Sequence, residues 1–165
     1  MSAAKTARSV ERVRAALLAG GHADTIALAP AGARTAADAA AAMGCEVAQI
    51  VKSLIFRAGE RPVLVLVSGA NRVDLEKLAA VLGTPAVRAD PAAVRALTGF
   101  SVGGVAPVGY ATPPLALMDA DLLRLDPLWA AAGSPEHVFR TSAQALLRLT
   151  GARVAELRQA KGGAA

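Results

Sequence analysis

The chain has 165 residues, with 18 lysines and arginines against 13 acidic side chains and a formal net charge of +5. That length suits a single domain over 1–165 with a proper core, and the basic balance favours contact with a polyanion. Alanine raises the mean hydropathy to +0.42, yet charges break every apolar run short of the roughly 20 residues that a membrane span needs.

Val10, Val13, Leu17 and Leu18 recur at helical spacing over Ser9–Ala19, inside an N-terminal helical region 1–24, and Gly20-Gly21 ends the pattern. Arg8, Arg12 and Arg14 fall largely off that stripe and read as a solvated face ahead of a polyanion-binding ridge. Thr25–Leu28 predicts a short strand before Pro30. Thr35 and Asp38 have the spacing of a capping box, for a helix that runs to Met43 and stops at Gly44. Val47–Ile50 adds a further turn.

Strands are predicted at Val51–Arg57 and Pro62–Ser68, joined by a hairpin loop at Ala58-Gly59-Glu60. Val63–Val67 is apolar on both faces, which marks a central strand. Asp74 caps a helix carrying Leu75, Leu78 and Leu82, and Gly83 closes it. A short strand at Ala86–Arg88 leads to Asp90-Pro91, an N-cap followed by a first helical position, and Gly99 ends that helix. Leu115–Met118 and Glu136–Arg140 read as strands, Ser142 caps a helix to Thr150, and Val154–Leu157 reads as a last strand before a flexible tail at 160–165. Helices and strands are mixed rather than strictly alternating, so the expected class is α/β with a mixed sheet.

Two features carry chemistry. Lys52 interrupts Ile50-Val51-Lys52-Ser53-Leu54-Ile55-Phe56 and shares a strand face with Ile50, Leu54 and Phe56. An ammonium there either snorkels to water or emerges from an apolar wall to hold an anion or a polarised carbonyl. The second feature is Thr98-Gly99-Phe100-Ser101-Val102-Gly103-Gly104-Val105-Ala106-Pro107. Adjacent glycines expose backbone N–H groups and let another molecule approach, although a tight turn between strands explains them as simply. The loop has neither a Walker Gly-Lys-Ser/Thr nor G-x-G-x-x-G spacing.

Other chemistries find less support. His22 and His137 are the only histidines, no metal-binding spacing is present, and neither a metal nor a cofactor is expected. Cys45 follows a helix-ending glycine, where a small buried side chain is the simpler reading than a nucleophile. A lone cysteine also suits a reducing, cytoplasmic compartment, and Met1–Thr6 has no apolar signal core. A Ser-His-Asp triad would have to use His137 with Ser53, Ser101 or Ser134, and no Gly-x-Ser-x-Gly elbow surrounds any of them.

Taken in order, Arg34-Thr35-Ala36-Ala37-Asp38, Gln49-Ile50-Val51-Lys52-Ser53-Leu54, Asn71-Arg72-Val73-Asp74-Leu75, Gly103-Gly104-Val105-Ala106-Pro107 and Leu146–Ala152 make the chain resemble the YbaK/EbsC family from about Thr35 to Leu157. That family includes freestanding aminoacyl-tRNA deacylases and the editing insertion domain of bacterial prolyl-tRNA synthetases. The resemblance implies a curved mixed sheet flanked by helices, with a pocket near the lysine. It implies a trans-editing deacylase acting on a mischarged tRNA, with Cys- or Ala-tRNA(Pro) as the expected substrate. The rival is a non-catalytic module that binds tRNA or a synthetase.

By the same resemblance Lys52 orients the ester or the terminal phosphate. Gly103, Gly104 and Val105 border the scissile carbonyl, and Ser53 adds a hydroxyl. His137 corresponds loosely to a functional histidine in a later glycine-containing loop, with a plain surface-loop role as the alternative. Aminoacyl-tRNA and prolyl-tRNA synthetase are the implied partners; neither DNA nor a membrane is expected.

Overall fold

A computed structural model describes residues 2–29 and 35–160. Pro30, Arg34 and residues 161–165 of the tail expected at 160–165 lie outside the described residues. Five helices are described: α1 (Ala3–Ala19), α2 (Ala36–Met43), α3 (Leu75–Leu82), α4 (Pro91–Thr98) and α5 (Ala143–Thr150). The strands are β1 (Ile26–Leu28), β2 (Ile50–Ala58), β3 (Arg61–Ser68), β4 (Val87–Arg88), β5 (Leu115–Asp119), β6 (Leu128–Ser134), β7 (His137–Thr141) and β8 (Arg153–Ala155).

The helix limits follow the predicted punctuation. The Thr35 hydroxyl accepts from Asp38 N–H while the Asp38 carboxylate accepts from Thr35 N–H, both at 3.1 Å, so the capping box forms. Asp74, Asp90 and Ser142 cap α3, α4 and α5, and left-handed Gly44, Gly83, Gly99 and Gly151 end α2 to α5. A 3-10 turn at Val47–Gln49 leads into β2 as expected.

The strands form one curved mixed sheet in the order β1-β7-β6-β2-β3-β5-β8, with β4 pairing a different stretch of β2. β2 and β3 are antiparallel; β3–β5, β5–β8 and β2–β6 are parallel. β3 is central, as its sequence predicts. Leu64 and Leu66 enter the larger core with Phe100, Met118 and Phe139, whereas Val63 and Val65 enter a second core with Phe56, Leu78 and Leu117. Burying each such side chain contributes about 1.5–3 kcal/mol, which fixes the register of β2 against β3.

Four details depart from the sequence reading. α1 begins at Ala3 instead of Ser9, and Leu18 is exposed while Val13 and Leu17 are fully buried. Leu75 is also exposed, at the start of α3. Arg12 is exposed, as a solvated face predicts, but it is also tied down: it donates to the carbonyls of Gly109 and Thr98 at 2.8 and 2.7 Å and lies 4.4 Å above the Phe100 ring. Finally, β6 is an additional strand over Leu128–Ser134, a stretch to which the sequence reading assigned no element. Its Leu128-Trp129-Ala130-Ala131-Ala132 run has little β propensity. Small side chains suit this position, because α1 packs closely: a Cβ on Gly133 would sit 2.7 Å from the Ser9 carbonyl oxygen.

Candidate active site

The site arises from a break in sheet pairing. β6 pairs with β2 at Ile50 and Val51, and β4 pairs with β2 at Phe56 and Arg57. Between them, one edge of β2 has no strand partner. The Ile50 carbonyl faces β3, accepting from Gly69, and the Ile55 carbonyl faces β4, accepting from Ala89. By alternation the N–H and C=O of Ser53 point away from β3, into the gap. A cavity of about 460 Å³ fills this gap. Its walls include Lys52 and Ser53 of β2, Trp129 and Ala131 of β6, Val102, Gly103 and Val105 of the glycine loop, Arg88 of β4, and His137.

Ser53 lies on the face of Val51 and Ile55, and its hydroxyl is buried without a hydrogen-bond partner among the described residues. A buried orphan hydroxyl is uncommon and costs about 1–3 kcal/mol, so a ligand that reached it would recover that penalty. Lys52 enters from the opposite face, beside Leu54 and Phe56. Its Nζ donates to the Asn71 carbonyl. Burial, and then the charges of Arg72 and Arg88, hold the ammonium below the usual lysine range. Arg88 stands opposite Phe56 in the β2–β4 ladder and lies 5.9 Å from that ring, which puts it on the Lys52 face.

The lysine's support is itself anchored. Asn71 is buried, and its Nδ2 donates to Asp121 Oδ2 at 2.8 Å. Arg158 pairs with the same oxygen at 3.0 Å, and Arg124 pairs with the other. Burial alone would push the Asp121 carboxyl up; the Asn71 and Arg124 hydrogen bonds and the nearby guanidinium charges outweigh it and hold the carboxyl below its usual range.

The glycine pair divides into two jobs. Gly103 lines the cavity with a left-handed φ of 92°. Gly104 does not line it: a Cβ there would lie 2.7 Å from Ser134 Cα, so this residue seats the loop against β6. The cavity therefore combines Lys52, Ser53, Gly103, Val105 and His137, and leaves out Gly104. Cys45 does not line it either, and burial and the Glu46 charge push its thiol up. Ser134 does meet His137, at 2.6 Å, but is only 2% exposed, which withholds its hydroxyl from attack on a substrate. No group of three metal-ligating side chains is found among the described residues.

Sequence reasoning missed Trp129, Ala131, Arg88 and Asn71. The lone tryptophan was the available signal for β6. Asn71 and Arg88 needed the sheet register before either could be related to Lys52.

A split mixed sheet with a basic group on one side of the gap and a hydroxyl and glycine loop on the other defines a pocketed α/β domain. The model of the aminoacyl-tRNA editing domain family matches residues 30–149, and the chain belongs to that family. A solved structure described as a candidate trans-editing enzyme for prolyl tRNA synthetase is 46% identical, with a TM-score of 0.89 over 97% of this chain and 99% of that one. The uncharacterized protein YwhH of Bacillus subtilis (strain 168) is 30% identical over 121 residues, which is 73% of this chain and 77% of YwhH. The proline--tRNA ligase of Thermosipho melanesiensis is 39% identical over 77 residues, 46% of this chain but only 14% of the ligase. Among the described residues no helix is long and apolar enough to cross a membrane.

Proposed function

We propose that the protein, acting as one unit over its length, is a hydrolase that removes a wrong amino acid from tRNA in trans. Water adds to the ester carbonyl, the bond from the acyl carbon to the ribose oxygen breaks, and that oxygen takes up a proton. Free amino acid and uncharged tRNA leave. The observation that carries this reading is the break in β2 pairing, where Lys52 and Ser53, on opposite faces of the strand, both line one cavity and the buried Ser53 hydroxyl has no partner among the described residues.

The division of labour follows from the two faces. Lys52, with Arg72 and Arg88 nearby, offers a cationic seat for the terminal phosphate or the ester oxygen. Ser53, through its hydroxyl and edge N–H, and Gly103, through its backbone, hold the acyl group beside Val105. The cavity supplies no obvious general base. An aminoacyl ester needs less help than an amide, because it is already activated and its terminal ribose carries a vicinal hydroxyl.

Cysteine and alanine on tRNA(Pro) are the proposed targets, since both are small enough to be mischarged by a proline site. An apolar pocket separates such side chains by only about 1–3 kcal/mol, which is why a second sieve is useful. Prolyl-tRNA synthetase is the proposed partner and the cytoplasm the proposed location. A deacylation panel with Cys-, Ala-, Ser- and Pro-tRNA(Pro) tests the reading. Cleavage of the Cys or Ala ester with Pro-tRNA(Pro) spared is expected. Tight tRNA binding with no cleavage of any ester would instead define a binding module.

A further inference from the structure

We propose that Ser134 is a positioning residue that locks His137 in the tautomer carrying its proton on Nε2, so that the ring donates to an acceptor oxygen of the bound ester. The identity of that ester rests on the proposed function; the tautomer does not.

The Ser134 hydroxyl is almost wholly buried. Its oxygen accepts from Glu136 N–H at 3.1 Å and lies 2.6 Å from His137 Nδ1. A hydroxyl has one proton to give, and Nδ1 is its only acceptor among the described residues. Ser134 therefore donates and Nδ1 accepts. A neutral imidazole whose Nδ1 accepts must carry its proton on Nε2. His137 Nε2 has no protein partner among the described residues, and His137 borders the β2 cavity, with Pro135 and Gly103, as well as a second one beside α1 that Ser134 also lines. Ser134 is in turn fixed by Gly104, whose backbone leaves no room for a Cβ. The site so built holds a donor rather than a base. It suits polarising a carbonyl or stabilising its oxyanion, and does not suit activating water.

His22, the other histidine, provides an internal contrast. Its Nδ1 lies 2.6 Å from the Ala23 carbonyl, which can only accept, and its Nε2 lies 3.0 Å from Thr141 Oγ1. His22 must therefore carry its proton on Nδ1. The chain has two histidines, and they are assigned opposite tautomers.

Two-bond proton–nitrogen correlation spectra of the 15N-labelled protein in its neutral-histidine range read both rings directly. The expected spectrum shows His137 protonated on Nε2 and His22 on Nδ1. A His137 protonated on Nδ1 overturns the proposal, and this wild-type spectrum decides even if a variant fails to fold. Ser134→Ala should give His137 a mixed pattern, leave His22 unchanged, and slow deacylation about tenfold, at the low end of the roughly 10–100-fold commonly lost with an outer partner that orients a ligating histidine. Ser134→Thr, which restores the hydroxyl, should recover the pattern and the rate. A mixed tautomer with an unchanged rate overturns the positioning role. An Nε2-protonated His137 in a wild-type protein that cleaves no aminoacyl ester upholds the lock and defeats the proposed function.

Discussion

Lys52 and Ser53 are adjacent in sequence, lie on opposite faces of β2, and border the same cavity. In a continuous sheet two such residues would serve separate layers. Here both line the cavity in the gap between β6 and β4, within reach of one ligand in the proposed function, and four predictions test that proposal.

The cationic face should show in the salt dependence of binding. Arg72 and Arg88 both act on Lys52 through their charge, so all three should meet phosphate. Affinity for uncharged tRNA should fall with salt at about 0.7–0.9 per neutralised phosphate. Arg72→Gln and Arg88→Gln should each lower that slope by about one unit. Slopes equal to the wild-type value would remove these arginines from the tRNA path.

The same charges predict a pH effect. In the proposed function Lys52 works as a cation, and its folded pKa is lowered, by burial first and then by Arg72 and Arg88. Activity should therefore be present below that pKa and fall as pH rises through it, earlier than an ordinary lysine would allow. Removing a like charge raises the pKa, so Arg88→Gln should move the alkaline limb of the single-turnover rate upward once spontaneous ester hydrolysis is subtracted. A downward shift would contradict this electrostatic account.

Gly104 and Gly103 should separate stability from activity. Gly104→Ala forces a Cβ to 2.7–3.0 Å from the Ser134 backbone, which cannot swing aside as a side-chain tip would. A cost of about 3 kcal/mol is expected, or roughly 6–12 °C in melting temperature. At Gly103 a Cβ would meet Pro135 at an ordinary 3.5 Å, so the main penalty of Gly103→Ala is its positive φ. That variant should melt closer to wild type and lose activity from a displaced cavity wall. Thermal melts beside deacylation assays distinguish the two, and equal destabilisation would reject the division.

Much of the fold was legible because its punctuation is local. Thr35, Asp74, Asp90 and Ser142 cap helices where their side chains predict, and four glycines end them. β6 was not legible. Its alanines fill a strand because α1 lies close above it, and that packing is a tertiary fact. Within the site, Lys52 announced itself as a charge in an apolar strand. The exclusion of Gly104 depended on which side of the loop meets Ser134. Ser53's importance depended on where two other strands stop pairing, which no reading of β2 alone contains.

Lys52→Met in single-turnover deacylation at saturating enzyme, with thermal melting alongside, tests the central claim most directly. The substitution keeps the apolar stem and removes the charge; it loses a charged hydrogen bond to the Asn71 carbonyl, about 1.5–3 kcal/mol, offset by no longer burying an ammonium. The account predicts a near-normal melt and a rate at least roughly 100-fold lower, the usual consequence of losing a preorganised electrostatic contact of about 3–4 kcal/mol. Lys52→Arg should also be impaired, because a planar guanidinium does not reproduce a compact ammonium. A Lys52→Met protein that melts normally and cleaves the ester at the wild-type rate would contradict the account at its centre.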